Sequence, residues 1–157
     1  IAQLKQQWWH YPLTEQIRYL KNLPCEDQHI LGICEGRAVS YLRLTERIAK
    51  SKGTRYQVAG ISTVCSDKSL HKRGLGQEIM AKASQVIRDK PYDFGLLGCD
   101  DSLVEFYKKC GWQKMDCDFF CIDKTGKKRP VFREKNCMMY PEKIFYEREI
   151  EVIGDSF

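Results

Sequence analysis

An α+β fold with a mixed, mostly antiparallel central sheet flanked by helices is predicted by three patterns in the 157-residue sequence. His29–Cys34, Arg37–Leu44 and Tyr56–Cys65 are successive strand-like runs, which predicts an antiparallel meander. Leu75–Asp89 then repeats apolar residues at helical spacing, and Phe94–Cys99 follows as a short apolar strand. This strand–helix–strand order predicts a parallel pairing between the strands on either side of the helix.

Two helices are expected before the sheet. Ile1–Trp9 carries Leu4 and Trp8 four residues apart, which is typical of one helix face. Thr14 is positioned to cap a second helix over Glu15–Leu23. The buried stripe of that helix is expected to be Ile17, Leu20 and Leu23.

Three aromatic side chains, Trp8, Trp9 and Tyr11, follow each other closely at the end of the first helix. We interpret them as core residues, because aromatic side chains bury a large apolar surface. The alternative is that they line a substrate pocket.

The remaining connections are predicted from turn and cap signals. Glu35-Gly36 is a hairpin turn, and Thr45–Thr54 is either a loop or a strand extension. Ser102–Glu105 has the S-x-x-E pattern of a capping box, so a short helix is expected from about Leu103 until Gly111. Further along we expect two strands, Asp116–Ile122 and Arg133–Tyr140, joined by an exposed basic hairpin loop at Lys124–Pro130. The tail, Ile144–Phe157, is expected to form an edge strand or to be partly disordered.

Composition indicates one globular domain over residues 1–157, because 43% of the residues are hydrophobic and 30% are charged. The 26 basic and 21 acidic residues give a net charge of +5 that is spread along the chain, so no nucleic-acid partner is predicted. No apolar run is long enough to cross a membrane, and no signal peptide is recognised.

The eight cysteines include no C-x-x-C pair, and the three histidines are scattered. These spacings favour neither a zinc site nor a disulfide framework. We therefore expect free thiols, no bound metal and a reducing, cytoplasmic location.

The segment from Val64 to Gly76 carries the most specific chemical signal, because a strand ends in a basic turn with two glycines and a helix begins. Backbone N–H groups are unpaired at a helix N-terminus, and the helix dipole adds positive charge there, so the turn suits a phosphate or pyrophosphate. Gly74 and Gly76 are expected to let the ligand approach the backbone closely. The alternative is an ordinary solvated turn, since the spacing matches neither of the two common phosphate fingerprints.

Two motifs in this order resemble the GCN5-related N-acetyltransferase (GNAT) superfamily. The turn His71–Gly76 is similar to its pyrophosphate loop, Q/R-x-x-G-x-G/A, although His71 replaces the usual Gln or Arg. The segment Phe106–Trp112 is similar to its second motif, F-Y-x-x-x-G-F/W. The resemblance covers about Gln28–Tyr140. It implies a sheet in which one parallel strand pair splays apart.

The resemblance also implies acetyl transfer from acetyl-CoA to an amine. Because the superfamily's first strand has no counterpart in this sequence, we expect that strand to precede Ile1. Asp100 stands where many members have Asn, so the amide contact to pantetheine is not expected here.

The resemblance implies that acetyl-CoA binds along the third strand and the turn after it. Backbone groups of Val64, Cys65 and Ser66 are expected to contact pantetheine. The pyrophosphate is expected to lie against His71, Lys72, Arg73, Gly74, Leu75, Gly76 and Gln77. Lys68, Lys72 and Arg73 are expected to add positive charge.

Tyr107 is the candidate general acid by the same resemblance, because a phenol stays protonated at neutral pH and can donate to a departing thiolate. The alternative is that Tyr107 packs as a core aromatic beside Phe106. Asp100 and Asp101 are candidates for drawing a proton from the amine through water. The alternatives are a solvated Asp100 and a helix-capping Asp101, with Ser62 and Thr63 as weaker relay candidates.

The function predicted in this way is direct acetyl transfer to a primary amine, without a metal. A weak similarity to the aminoglycoside 2'-acetyltransferase branch favours a small or aminoglycoside-like acceptor and an acidic pocket. The acids expected there are Glu35, Glu46, Asp100, Asp101 and Glu142. A peptide or protein acceptor and a non-catalytic acyl-CoA-binding regulatory domain are the alternatives, and a monomer or homodimer is expected.

Overall fold

The computed structural model describes residues 1–132, 136–145 and 148–154. Within these residues, nine strands form one mixed sheet with four α-helices, which confirms the predicted α+β fold. The helices are α1 (Ala2–Gln6), α2 (Leu13–Lys21), α3 (Leu75–Asp89) and α4 (Val104–Lys109). The strands are β1 (Gln28–Cys34), β2 (Arg37–Ser51), β3 (Thr54–Ser66), β4 (Phe94–Cys99), β5 (Gln113–Lys114), β6 (Asp118–Ile122), β7 (Lys128–Pro130), β8 (Asn136–Tyr140) and β9 (Glu149–Ile153). Their order in the sheet is β5-β8-β4-β3-β2-β9-β6-β7, with β1 paired to β2 off this path.

Strands β1, β2 and β3 form the predicted antiparallel meander. The turn at Glu35 and Gly36 has φ values of 50° and 74°, the left-handed backbone that two-residue hairpins favour. A second turn of this kind, at Lys52 and Gly53, has φ values of 46° and 79°. The segment Thr45–Thr54 is thus a strand extension with a turn inside it, not a loop.

Strand β4 lies beside β3 in parallel, as predicted, but over a short stretch. The paired positions are Val58 with Phe94, Ala59 with Gly95, and Gly60 with Leu96. Beyond Gly60, β3 pairs with β2 but with no other described strand. The implied splay of the parallel pair is confirmed, and it leaves one edge of β3 uncovered.

Helix α3 has the predicted bounds, and Ile79, Ala83 and Ile87 of its apolar positions are buried against the sheet. Gly95 of β4 lies directly beneath this helix. A Cβ atom placed there would come within 2.5 Å of Ile87 Cδ1 and 2.9 Å of Trp112 Cη2. Close packing of α3 on β4 therefore depends on the missing side chain.

Gly95→Ala is expected to lower the free energy of unfolding by about 2–3 kcal/mol, because the new methyl group meets two rigid core side chains. Gly32→Ala is the matched control: its Cβ would meet the Ser40 hydroxyl at 2.2 Å, and that group can rotate away. Urea unfolding measures the free energy of unfolding of both variants. A cost for Gly95→Ala no greater than that for Gly32→Ala would contradict the packing argument.

The N-terminal helices differ from the prediction. Helix α1 ends at Gln6, and α2 starts at Leu13 with Pro12 as its N-cap residue, so Thr14 lies inside the first turn and does not cap it. Ile17 is 40% exposed and Gln16 is buried instead. The physical reason is that the Gln16 side chain points inward and donates a hydrogen bond to the Trp9 carbonyl at 3.3 Å. Ile17 therefore lies on the outer face of the helix.

The capping-box prediction is wrong. Ser102 lies inside a 3₁₀ turn over Asp101–Leu103, and α4 then begins without a side-chain cap at Leu103. The Glu105 carboxylate accepts a hydrogen bond from Lys108 at 2.8 Å and does not reach back to a cap. Gly111, with φ of 85°, ends the helix as predicted.

The basic hairpin is also placed differently. Strand β6 pairs with β7, which lies inside the predicted loop, because Asp123 closes a tight turn by accepting bonds from the backbone of Thr125 and Lys127. Strand β8 pairs with β4 and β5 instead, and the Arg133–Lys135 part of its predicted range lies outside the described residues.

The tail forms an inner strand and not an edge strand. Strand β9 lies between β2 and β6, pairing antiparallel with the first and parallel with the second. Residues 146–147 and 155–157 of the predicted tail lie outside the described residues.

Candidate active site

A cavity of about 640 Å³, the first cavity, lies where β3 and β4 separate. Its walls are the end of β3, the turn into α3, the end of β4, helix α4 and the aromatic end of the N-terminal segment. The structure brings these predicted site residues to it: Val64, Cys65, Ser66, His71, Lys72, Arg73, Gly74, Leu75, Gly76, Gln77, Asp100 and Tyr107. Asp101 is not among the lining residues.

The turn into α3 presents unpaired backbone donors. Gly74 is the N-cap residue, with φ of 84° and no side-chain hydrogen bond to the helix. The first helical bond runs from Glu78 N to Gly74 O at 3.0 Å, so the N–H groups of the three preceding residues have no partner within the helix. These donors and the basic side chains of Lys72 and Arg73 form a positively polarised wall.

The two glycines of the turn serve different purposes. Gly74 has a left-handed backbone, and the space beside it is open, because the nearest atom to an added Cβ is Glu78 Oε1 at 4.0 Å. At Gly76 an added Cβ would lie 3.1 Å from Phe106 Cζ. Gly76 therefore allows α3 to pack against α4, and our expectation that it only clears space for a ligand is incomplete.

A bulge on β3 shapes the floor of the first cavity. The register with β2 skips between the pairs Tyr41–Cys65 and Arg43–Ser62, and Thr63 has a φ of 56°. A β-branched residue rarely adopts this backbone, so no local signal in the sequence predicted the bulge. The residues around the bulge, Ser62 to Ser66, line the first cavity.

The N-terminal segment closes the first cavity on one side. Trp8 donates from Nε1 to the Ser66 carbonyl at 2.7 Å, which uses one of the backbone groups expected to face pantetheine. Lys68 Nζ lies 4.7 Å from the centroid of the Trp8 ring, so its side chain covers that wall. Trp8 and Tyr11 are 41% and 60% exposed, and their interpretation as core residues is wrong.

Tyr107 is a core residue that also reaches the first cavity. Its side chain is 6% exposed, belongs to the main core, and packs edge-to-face on Phe106 with ring centroids 5.0 Å apart. It nevertheless lines the first cavity, opposite the end of β3. The core packing fixes the direction of the ring.

The two neighbouring aspartates separate. Asp100 is exposed and lines the first cavity. The Asp101 carboxylate accepts a hydrogen bond from Asn136 Nδ2 at 2.9 Å, and the same amide nitrogen lies 3.2 Å from the Cys99 carbonyl. Asn136 is buried, so this contact ties the end of β4 to β8. Sequence reasoning missed it because the two residues are distant in the chain.

A second cavity of about 690 Å³ adjoins the first. The two share Trp9, Ser62 and Thr63 as lining residues, and the second extends under α1 and α2. Its other lining residues are Lys5, Tyr11, Glu15, Gln16, Arg18, Tyr19, Asn22 and Leu23. Glu15 is the one acid among its described lining residues, so the acids expected around an acceptor do not line this cavity.

Two buried cations lie beside the second cavity. Arg43 is 8% exposed; its Nε donates to Ser62 Oγ at 3.1 Å, and its Nη1 donates to the Tyr19 hydroxyl at 3.0 Å. The buried Asp27 carboxylate, 3.6 Å from Arg43 Nε, balances its charge. Lys5 is 5% exposed, with Nζ 3.9 Å from the centroid of the Tyr19 ring.

Burial lowers the pKa of Lys5 to about 8. The unfolded chain then binds more protons than the folded one between pH 8 and the ordinary lysine pKa of 10.5, so this group adds stability as the pH rises through that window. Lys5→Met is expected to raise the free energy of unfolding at pH 7 by on the order of 1–3 kcal/mol. Denaturant unfolding from pH 7 to pH 10 should show this advantage shrinking. A difference independent of pH would contradict it.

The cysteines, the possible metal ligands and the helices of the described residues also bear on the chemistry. All eight cysteines are free thiols in the structure, and burial raises the pKa of Cys65 to about 12. The described residues contain no group of three or more histidine, cysteine or acidic side chains arranged to hold a metal ion. Within the described part of the chain, no helix has both the length and the apolar character that a membrane crossing requires.

Comparison with known families decides the classification. The family model described as "Acetyltransferase (GNAT) domain" matches residues 1–115, which is most of the chain. The chain belongs to the GNAT acetyltransferase family. Membership implies acyl transfer from an acyl-CoA, and the matched range contains both cavities.

Solved structures share the fold of this GNAT domain. The Escherichia coli protein ElaA has 20% identity and a TM-score of 0.56, with 87% of this chain and 84% of that chain covered. Glucosamine-6-phosphate N-acetyltransferase from Arabidopsis thaliana has 16% identity and a TM-score of 0.59, with 71% and 80% covered. A conserved Enterococcus faecalis protein has 20% identity and a TM-score of 0.62 over 71% of this chain, which spans 28% of that protein's length.

Proposed function

We propose that the protein transfers an acetyl group from acetyl-CoA to a primary amine by direct attack. The observation that carries the proposal is the junction of the two cavities at Trp9, Ser62 and Thr63. One cavity has the donors and charges that suit a pyrophosphate, and the other offers a separate route for an acceptor. Both substrates are expected to be present together, with the reacting atoms at the junction.

The first cavity fits acetyl-CoA by its own chemistry. The uncapped N-terminus of α3 offers backbone donors to the pyrophosphate, and Lys72 and Arg73 line the same wall. The uncovered edge of β3 offers backbone groups of Val64 and Cys65 to the amides of pantetheine. When bound, acetyl-CoA supplies the thioester whose acetyl group is transferred.

We assign the general-acid role to Tyr107. In the transfer, a bond forms between the amine nitrogen and the acetyl carbon, the carbon–sulfur bond breaks, and the sulfur takes a proton. Tyr107 lines the first cavity and is held by its core packing, so its hydroxyl is a fixed proton donor. The phenolate then recovers a proton from water.

The amine must lose a proton before or during the attack, and Asp100 is our candidate to receive it through water. It lines the first cavity, whereas the carboxylate of Asp101 is held by Asn136. Ser62 lies at the junction and accepts a bond from Arg43, so its own hydroxyl is available as a relay toward bulk water.

We favour a small amine as the acceptor, because a cavity of about 690 Å³ is the size of a small-molecule site. The cationic groups around it give no support for an aminoglycoside. A peptide or protein amine stays the alternative, as does a non-catalytic acyl-CoA-binding domain. A cytoplasmic location is also proposed, on the ground of the eight free thiols.

Release of free CoA across a panel of amines tests the proposal. The panel contains small amines, an aminoglycoside and a peptide with a lysine side chain. We expect turnover with at least one small amine. Tight acetyl-CoA binding without CoA release from any amine would favour the regulatory domain, and turnover with the peptide alone would favour a protein acceptor.

A further inference from the structure

Lys5 carries a buried ammonium group that has no anionic partner among the described residues. It is 5% exposed, and no described carboxylate lies within 4.0 Å of it. Its Nζ atom lies over two aromatic rings, 3.9 Å from the centroid of Tyr19 and 6.0 Å from the centroid of Trp9. A buried ammonium without an anion is costly, and the two ring contacts offset only part of that cost, so the group is suited to bind an anion supplied by a ligand.

The neighbouring charges leave this ammonium unbalanced. Arg43 from β2 lies near Lys5 and is balanced by Asp27, so the pair contributes little net charge. Cys65 from β3 faces Lys5 as a buried thiol, and burial keeps it protonated. Glu15 and Arg18 of α2 both line the cavity and offset each other.

The position of Lys5 relative to the reaction centre is set by α1. Lys5 and Trp9 are four residues apart, on one side of the N-terminal segment, and both line the second cavity. Trp9 also lines the first cavity, at the junction where the amine is expected to react. The aromatic rings of Trp9 and Tyr19, which lie beside the Lys5 ammonium, are part of the walls of the same cavity.

We propose that the second cavity accepts an amine whose far end carries an anionic group, and that the Lys5 ammonium binds this group. The inference rests on the proposed function for the amine end of the molecule. The anion is a carboxylate or a phosphate, since both pair with an ammonium, and the aromatic walls favour an apolar or ring-containing spacer. Amino acids and related amino carboxylates belong to this class.

The first experiment measures kcat/KM for acceptors that differ only in the charge of the far end. The acids are glycine, β-alanine, 5-aminopentanoate, 4-(aminomethyl)benzoate and 2-aminoethyl phosphate. Each is compared with the alcohol and the diamine of the same skeleton. At least one acid is expected to exceed both partners by about ten- to a hundredfold, as for a hydrogen bond to a charged group.

Lys5→Met is expected to remove this preference, and Lys21→Met is the matched control. Lys21 lies on α2, is exposed and does not line either cavity. The preference for the acid should survive in the control. Comparing carboxylates with the phosphate tells which anion the site prefers. Equal or better turnover of alcohols or diamines by the unchanged protein would overturn the inference while leaving the proposed function intact.

Binding of the acetylated product to the CoA-saturated protein provides a readout without turnover. The probe is 4-(acetamidomethyl)benzoate, which has no amine to titrate. Between pH 7 and pH 9 the charged fraction of a group with a pKa of about 8 falls about tenfold, so calorimetry should show a similar loss of affinity.

Lys5→Met should bind the product weakly, with no such pH dependence. If the anionic product binds through Lys5 but no amine is ever acetylated, the proposed function fails and the anion site stands. Affinity that is the same in Lys5→Met and the unchanged protein would overturn the anion site.

Discussion

Tyr107→Phe is expected to lower kcat by about 10²–10⁴ while the Kd for acetyl-CoA stays nearly constant. The substitution removes only the hydroxyl and keeps the ring in the core against Phe106. Most contacts expected for acetyl-CoA are with the backbone and with the turn into α3, so its binding should not depend on a phenol. Steady-state kinetics and calorimetry on the same preparation give both numbers.

Tyr56→Phe is the matched control for this substitution. Tyr56 packs against Phe94 in a separate part of the core and lines neither cavity. Its kcat should stay within a few-fold of the parent. If Tyr107→Phe also turns over within a few-fold of the parent, another group or water protonates the departing sulfur, and the assignment of the acid is wrong.

Gly74→Glu is expected to weaken acetyl-CoA binding by about a hundredfold or more, because two effects combine at one position. A non-glycine residue at a φ of 84° strains the turn, and the new carboxylate lies beside the donors meant for the pyrophosphate. The space around Gly74 is open, so the fold should tolerate the side chain. Calorimetry with acetyl-CoA measures the loss.

Gly74→Asn separates the two effects. Asparagine tolerates the left-handed backbone and brings no charge, so its affinity should fall only a few-fold. Circular dichroism and thermal unfolding check that both variants are folded. Unchanged affinity in folded Gly74→Glu would place the pyrophosphate elsewhere.

The parts of the fold that the sequence predicted are those set by local chemistry. The change of period between β3 and α3, the glycines of the turn and the stop at Gly111 each depend on a few consecutive residues. The family assignment followed from these motifs. The parallel pairing of β3 and β4 followed from element order, because a strand–helix–strand connection leaves few alternatives.

The parts that were missed depend on pairings between distant segments. Strand β9 inserts between β2 and β6, and nothing within Glu149–Ile153 specifies those partners. The contact of Asn136 with Asp101 and the bulge at Thr63 are likewise set by tertiary packing. An alternation of polar and apolar residues identifies a strand, but it does not specify which strands lie beside it in the sheet.

The acids expected around the acceptor do not line the second cavity, for a related reason. Acidic residues were collected along the sequence, but the cavity is built by α1 and α2, and the charges that face it are those of Lys5, Glu15 and Arg18. A lysine inside a helix pattern is ordinarily solvated. Only the packing of α1 on β2 and β3 shows that this one is buried.

A single-turnover experiment with acetyl-CoA labelled in the acetyl group tests direct transfer to an amine. Protein in excess is mixed with labelled acetyl-CoA and the best acceptor of the panel, and labelled amine, free CoA and labelled protein are measured over time. If transfer is direct, acetylated amine and free CoA appear together, at one rate and in equal amounts. Labelled protein that forms before the product, or free CoA without acetylated amine, would contradict it.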